Sequence, residues 1–401
     1  MPDRRAILKA GFAGAVAMSA GGVLLPRTSQ AASAGHAPGA STTPTESSAH
    51  WATVPLYGHL SKPKDFTSAD LDHIVNYYPM VTLEKAQGSV TYGNAEDGCE
   101  AAYAQIRARS KSIKLFYYWN AAVVWHDFYA CFKNGFDMSW ILKDQDGKPW
   151  DPVPVHPSAV YGYDTSNPQL REWWVRQVVA QVERVGYDGV FIDAIARYNV
   201  DRTELIGVCG KVKADAVVQG QRDMVAELRR RLGMTKTLLY NGIRYLPSPD
   251  WNGTGGYLGI TDGAMLEHYG VHHTASPGSM KGDLNLARNV DSQGKMVAFC
   301  GWWNSGMINP PSEPPESWKD NLKFSLASFL CAAGPHSYFH YARRNFSYNE
   351  GAFEDFPDLK KPLGPPAGAA VQRGYVFTRE FERASVRVDL SDVRSASIEW
   401  R

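Results

Sequence analysis

The sequence carries no surplus of charge. Its 42 basic and 41 acidic residues leave a formal +1, and the first 34 residues hold a surplus of three positive charges, so the remainder is near −2. A nearly neutral chain has no global attraction for nucleic acid or anionic lipid, and neither is expected as a partner. Cysteine is also scarce. Cys99, Cys131, Cys209, Cys300 and Cys331 stand apart, without the paired short spacing of a zinc site, and no metal or other cofactor is called for. Export to an oxidising compartment permits disulfides, and the odd number leaves at least one thiol out; the spacing does not say which would pair. Long apolar runs are missing too. Ala10–Leu25 is rich in Gly and Ala and falls short of the roughly 20 apolar residues of a membrane span. No Gly-rich nucleotide loop follows the first apolar strand, which counts against a doubly wound open sheet.

What is present suits one large core. With 401 residues, 44% of them hydrophobic, the chain is long enough to bury a sizeable interior, and disorder is confined to a tail. The tail reads as an address. Asp3-Arg4-Arg5-Ala6-Ile7-Leu8-Lys9 resembles the bacterial twin-arginine export signal, the apolar run follows, and Ala32-Ser33-Ala34 is a plausible cleavage site. Residues 1–34 are therefore expected to be removed, giving a secreted or periplasmic protein with no membrane attachment. Residues 35–50, rich in Ala, Ser, Thr and Pro, form a flexible spacer.

From residue 51 onward, short apolar runs alternate with amphipathic stretches of helical period, the pattern of parallel strands joined by helices. The expected strands are Val54–Leu60, Tyr78–Glu84, Ile113–Trp119, Gly189–Asp193, Thr237–Asn241, Gly263–His268, Met296–Trp302 and His336–Tyr341. Three helices stand out between them. Gln169–Val185 follows Ser166-Asn167-Pro168, where Ser or Asn can cap and Pro suits the first turn. Ala214–Leu232 ends in three arginines that complement its dipole, and Trp318–Ala333 is stopped by Gly334-Pro335. Eight such units predict a (β/α)8 TIM barrel over residues 51–345, followed by a connecting segment at 346–370. Gly374–Phe381, Ser385–Leu390 and Ala396–Trp400 predict a small C-terminal β appendage at 371–401 that packs on the barrel, since so few strands cannot bury a face alone. Val123–Val160 and Tyr269–Lys295 read as long insertions that shape a cleft.

In such a barrel the chemistry sits at the C-terminal strand ends. Two apolar runs end in an acid: the fourth in Asp193 and the sixth in Glu267, with Asn241 ending the strand between them. Either acid alone could equally cap a helix or pair with an arginine, and Arg197 is close to Asp193 in sequence. Two acids on strands separated by one neighbour can point into one mouth, and glycoside hydrolysis needs that pair. Asp193, short and held by its strand, suits the nucleophile; Glu267, one methylene longer, suits the acid that later acts as base. Tyr57, Glu84, Trp119, Asn120, Asn241, His268, Tyr269, Trp302, Trp303 and His340 fall at or near strand ends as candidate sugar contacts, about half of them expected to be packing. Aromatic residues are 12% of the chain, which suits sugar faces, though a large core uses them as readily. Asp164 is expected to cap the helix it precedes.

The order of several segments resembles a known family. Phe116-Tyr117-Tyr118-Trp119-Asn120, the stretch from Trp140 to Pro149, Asp164-Thr165-Ser166-Asn167-Pro168, Asp188 through Asp193, Met265-Leu266-Glu267, and Leu359 through Gly364 leading to Arg379-Glu380-Phe381 are its carriers. Together, from about residue 54 to the C-terminus, they resemble bacterial glycosyl hydrolases with an eight-fold β/α barrel, related to the group containing endo-α-1,4-galactosaminidases and dextranases. The resemblance implies a glycosidase acting on a carbohydrate, with the strand-four Asp and the later Glu as nucleophile and acid/base. One departure is Asp389, where relatives often carry Asn, far from the expected site.

Two rival readings remain at this level. Glu267-His268 with His272-His273 could be drawn as the metal site of a polysaccharide deacetylase. A non-catalytic sugar-binding barrel is the other, against which stands the retention of both acids.

Overall fold

The computed structural model describes residues 50–133, 135–154, 159–200, 202–245, 254–267, 269–270, 275–302, 317–342, 353, 355–392 and 395–401. The predicted signal segment 1–34 and all of the spacer but residue 50 lie outside them. Eight parallel strands form one sheet in sequence order: β1 (Gly58–Leu60), β2 (Met80–Leu83), β3 (Lys114–Asn120), β4 (Gly189–Asp193), β5 (Thr237–Asn241), β6 (Gly263–Leu266), β7 (Met296–Trp302) and β8 (Ser337–Ala342). The two edges then join. A parallel bridge pairs Leu56 with Phe339, Tyr57 N donates to Phe339 O at 2.9 Å, and Phe339 N to Pro55 O at 2.8 Å. Closure removes both open edges, and the expected TIM barrel is the fold.

Among the described residues the longer helices outside the sheet are α1 (Ser68–Tyr77), α2 (Ala95–Arg109), α3 (Pro168–Val185), α4 (Lys211–Leu232), α5 (Pro277–Ser292) and α6 (Ser317–Ala332). Local chemistry sets their ends. At α3, Asn167 accepts from Gln169 N and Leu170 N, Pro168 fills the first turn, and Gly186 takes the left-handed conformation that closes the helix. Asn167 is thus the cap. Asp164 instead accepts from Ser166 and from Lys213 Nζ at 2.6 Å. The segment Tyr269–Lys295, read as an insertion, contains α5, whose cap Ser276 accepts from Ser279 N. Between β5 and β6 the described residues hold a 3-10 turn, Thr254–Gly259.

After the barrel comes a four-stranded antiparallel sheet: β9 (Val371–Arg373), β10 (Val376–Phe381), β11 (Ala384–Asp389) and β12 (Ala396–Trp400). It packs on α6, whose other side faces β7 and β8. That helix is therefore buried nearly all round, from Phe324 through Ala332, as a helix covered on two sides must be. Arg379 of β10 ties the layers together: its guanidinium donates to Leu330 O and Ala333 O at the end of α6, at 2.8 and 2.5 Å, and to Gly368 O at 3.0 Å. All five cysteines are free thiols. No helix among the described residues is long and apolar enough to cross a membrane.

Candidate active site

Each barrel strand alternates its side chains, so one set fills the interior and the other packs against the helices. On β3, Phe116 and Tyr118 belong to the interior cluster, with Tyr57, Met80, Phe191, Leu239, Met265, Cys300 and Trp302; Leu115, Tyr117 and Trp119 belong to the outer layer. Following the interior series upward ends it in polar groups: Asn120 on β3, Asp193 on β4, Asn241 on β5 and Glu267 just after β6.

Asp193 is held by four donors. Tyr118 Oη and Asn120 Nδ2, the latter at 3.0 Å, bond to Oδ2. Asn241 Nδ2 at 2.8 Å and Ala194 N at 2.7 Å bond to Oδ1. Ala194, whose N–H makes the last of these bonds, takes a positive φ of 60°, a conformation rare outside glycine. The same Asn241 nitrogen lies 2.6 Å from Glu267 Oε2. Two oxygens that share one donor at 2.8 and 2.6 Å are at most the sum of those distances, about 5.4 Å, apart, so the Asn241 amide holds one oxygen of each acid beside the other.

A second layer supports this pair. Glu84, just beyond β2, forms a buried ion pair with Lys85. The Lys85 ammonium lies 5.1 Å from the ring centres of both Tyr118 and Trp125. Burial pulls that ammonium down, but Glu84, Asp193 and Glu267 outweigh it and the net direction is up; Glu84 is raised by burial, opposed by Lys85. His59 on β1 is lowered to about 3 by burial and by the neighbouring His340, and His340 on β8 to about 4 by burial. Both imidazoles are thus neutral at ordinary pH. His340 Nδ1 sits 2.9 Å from Tyr57 O, and Tyr57 donates to Thr82 Oγ1 at 2.6 Å.

The barrel brings Asp193, Glu267, Asn120, Asn241, Glu84, Trp302 and His340 together, with Tyr57 fully buried inside it. It does not bring Trp119 or Tyr269. Trp119 points outward, its ring 4.5 Å from Tyr129 and stacked toward Phe132, because it follows the inward Tyr118 by one residue. Tyr269 packs outside as well, against Phe299 at 4.8 Å and Phe324. His268, Trp303, His272 and His273 lie outside the described residues. Arg197 gives its guanidinium to Pro152 O and Glu204 and lies over Trp150. Tyr118, Lys85 and His59 were not singled out from sequence; the two-residue period leading to Asn120 and Glu84 was the available signal for Tyr118 and Thr82.

The sequence profile of hypothetical glycosyl hydrolase family 15 matches residues 107–385, more than half of the chain and inclusive of every residue from Tyr118 to Glu267 just described. The chain belongs to hypothetical glycosyl hydrolase family 15. That family assignment agrees with the resemblance carried by the order of its segments. No protein of curated function matches the sequence. Among solved structures it is similar to the α-amylase AmyB of Thermotoga neapolitana, with 11% identity over 84% of this chain and 86% of that one and a TM-score of 0.49. It is also similar to an α-galactosidase of Thermus thermophilus, with 14% identity over 85% and 67% and a TM-score of 0.48. A cycloisomaltooligosaccharide glucanotransferase of Paenibacillus is similar at 13% identity over 65% of this chain, with a TM-score of 0.43, and the family member spans only 40% of that chain's length.

Proposed function

We propose that this family member is an exported glycoside hydrolase that cleaves a poly- or oligosaccharide with Asp193 as nucleophile and Glu267 as acid and then base, retaining the anomeric configuration. The observation that carries the reading is the Asn241 amide shared by the two acids. It keeps one oxygen of each acid beside the other, the closeness that direct attack on the anomeric carbon uses. Glu267 protonates the leaving oxygen as Asp193 forms the glycosyl ester; water, activated by the same Glu267, then breaks it. Four hydrogen bonds on Asp193 fix its aim, which is what covalent catalysis asks of a nucleophile. A sugar hydroxyl in place of water would give transglycosylation from the same intermediate.

The test is a panel of bacterial, fungal and plant polysaccharides offered to the mature protein, with proton NMR of the first product. A retained anomer is expected, and Asp193→Asn and Glu267→Gln should each cost about 10²–10⁴-fold in turnover with the fold intact. An inverted anomer would turn Asp193 into a base. Activity that vanishes in EDTA would favour the deacetylase reading. For export, Arg4→Lys with Arg5→Lys is expected to hold the precursor in the cytoplasm; normal secretion of that variant would count against the twin-arginine route.

A further inference from the structure

Asp283 is a buried acid that the carboxylate pair does not use. It belongs to α5, is fully buried, and accepts one hydrogen bond, from Tyr245 N to Oδ1 at 2.6 Å. Its other oxygen is buried without a hydrogen-bond partner among the described residues. Tyr245 opens the β5–β6 connection, four residues beyond Asn241. Its ring lies against the backbone of α5 at Gly282, where a Cβ would come within 2.1 Å of it. Just before it, Gly242 N and Ile243 N both reach Met265 O at 3.2 Å. The rim beside Asn241 is thus pinned twice, to β6 by backbone bonds and to α5 by a carboxyl group.

We propose that Asp283 is a proton-operated latch on this rim, closed in acid and released in weak base. Protonated, the side chain is a neutral group sealed beneath Tyr245. Ionised, it is a charge with one donor in poorly hydrated surroundings, and lifting Tyr245 admits the water it needs. The Tyr245 N–H and Arg244 favour the ionised form where it sits, but burial outweighs both and pushes the Asp283 carboxyl up to about 7. The open form ionises at the ordinary carboxylate value, so opening becomes steadily easier as pH rises from about 4 to about 7 and levels off above it. Among the described residues, the other charged or titratable groups facing it are Arg244, from the same connection, and Tyr269, just beyond β6. Burial holds the Tyr269 hydroxyl far above its ordinary range, so it does not change charge over that interval. This inference does not depend on the catalytic roles of Asp193 and Glu267.

The experiment is hydrogen exchange at the Tyr245 amide of the full chain from about pH 5.5 to about pH 8.5, expressed as a protection factor so that intrinsic base catalysis drops out. Protection should fall roughly ten-fold or more across that interval and stay level in Asp283→Asn. Arg244→Gln, which removes the nearby cation, should move the fall to higher pH, and it decides the matter if Asp283→Asn does not fold. Level protection in the unmodified protein, a fall that persists in Asp283→Asn, or an unmoved midpoint in Arg244→Gln would overturn the latch.

Discussion

Tyr118 donates its hydroxyl to Asp193 Oδ2 from inside the barrel wall, while the acid itself stands at the rim. The bond reaches across neighbouring strands, because Tyr118 pairs with Phe191 and Asp193 lies two residues further up. Removing the hydroxyl leaves the ring's packing on Phe191 and beneath Lys85. Tyr118→Phe is therefore expected to keep its melting temperature within a few degrees and to lose roughly 10- to 100-fold in kcat, the worth of a hydrogen bond to a charged group. Turnover of the best glycan from the polysaccharide panel, set beside a thermal melt, checks this.

Asn241→Ala removes the donor common to both acids. Its effect on kcat should exceed that of Tyr118→Phe, on the order of 10²–10³-fold, since Asp193 and Glu267 lose a partner together and are left facing one another. A loss no larger than that of Tyr118→Phe would show that the shared amide does not govern the pair.

Acid should destabilise the barrel from within. Burial lowers His59 to about 3 and His340 to about 4, whereas the unfolded chain takes up these protons near pH 6.5. The folded protein thus binds fewer protons than the unfolded chain as pH drops below about 6.5. The stability these neutral rings permit is complete above that pH and is lost progressively toward their folded values. His340→Gln should remove one ring's share, on the order of 3 kcal/mol between pH 7 and pH 4, as read by urea unfolding at a series of pH values.

Arg379→Ala should cost stability and leave the chemistry alone. It strips the guanidinium from two carbonyls at the end of α6 and leaves them buried without that donor. A loss of about 2–4 kcal/mol in denaturant unfolding is expected, with unchanged kcat at low temperature, because the contact lies on the outer face of the barrel.

The strands that were legible in the sequence are those buried on both faces. Gly189–Asp193, Thr237–Asn241 and Met296–Trp302 are found with the bounds their apolar runs predict, since a closed parallel barrel demands continuous hydrophobicity. The first run was drawn too long: Leu56 only bridges to Phe339, so burial there outruns ladder pairing. Helix α5 was hidden because its Pro277-Gly278 opening has the composition of a loop, and β9 because an exposed edge strand has no buried face to announce it. In the site, the two acids were legible as polar endings of apolar runs. Tyr118 was not, because a buried tyrosine reads as core until its hydroxyl is given a partner. Trp119 shows the sharper failure, since in a two-residue period a side chain one step from the right position faces the opposite way.

The sandwiched position of α6 bears on how the molecule is made. Most barrel helices need only their strands behind them, so they can settle as soon as they leave the ribosome. Helix α6 is apolar on both sides, and one side is covered by β10, β11 and β12, which follow it in the chain. A nascent chain halted anywhere before those strands holds a completed ring of eight strands whose last helix is still adhesive. Premature stop codons in this region should therefore yield aggregation rather than a shortened working enzyme, and docking of that sheet is the step that closes the assembly.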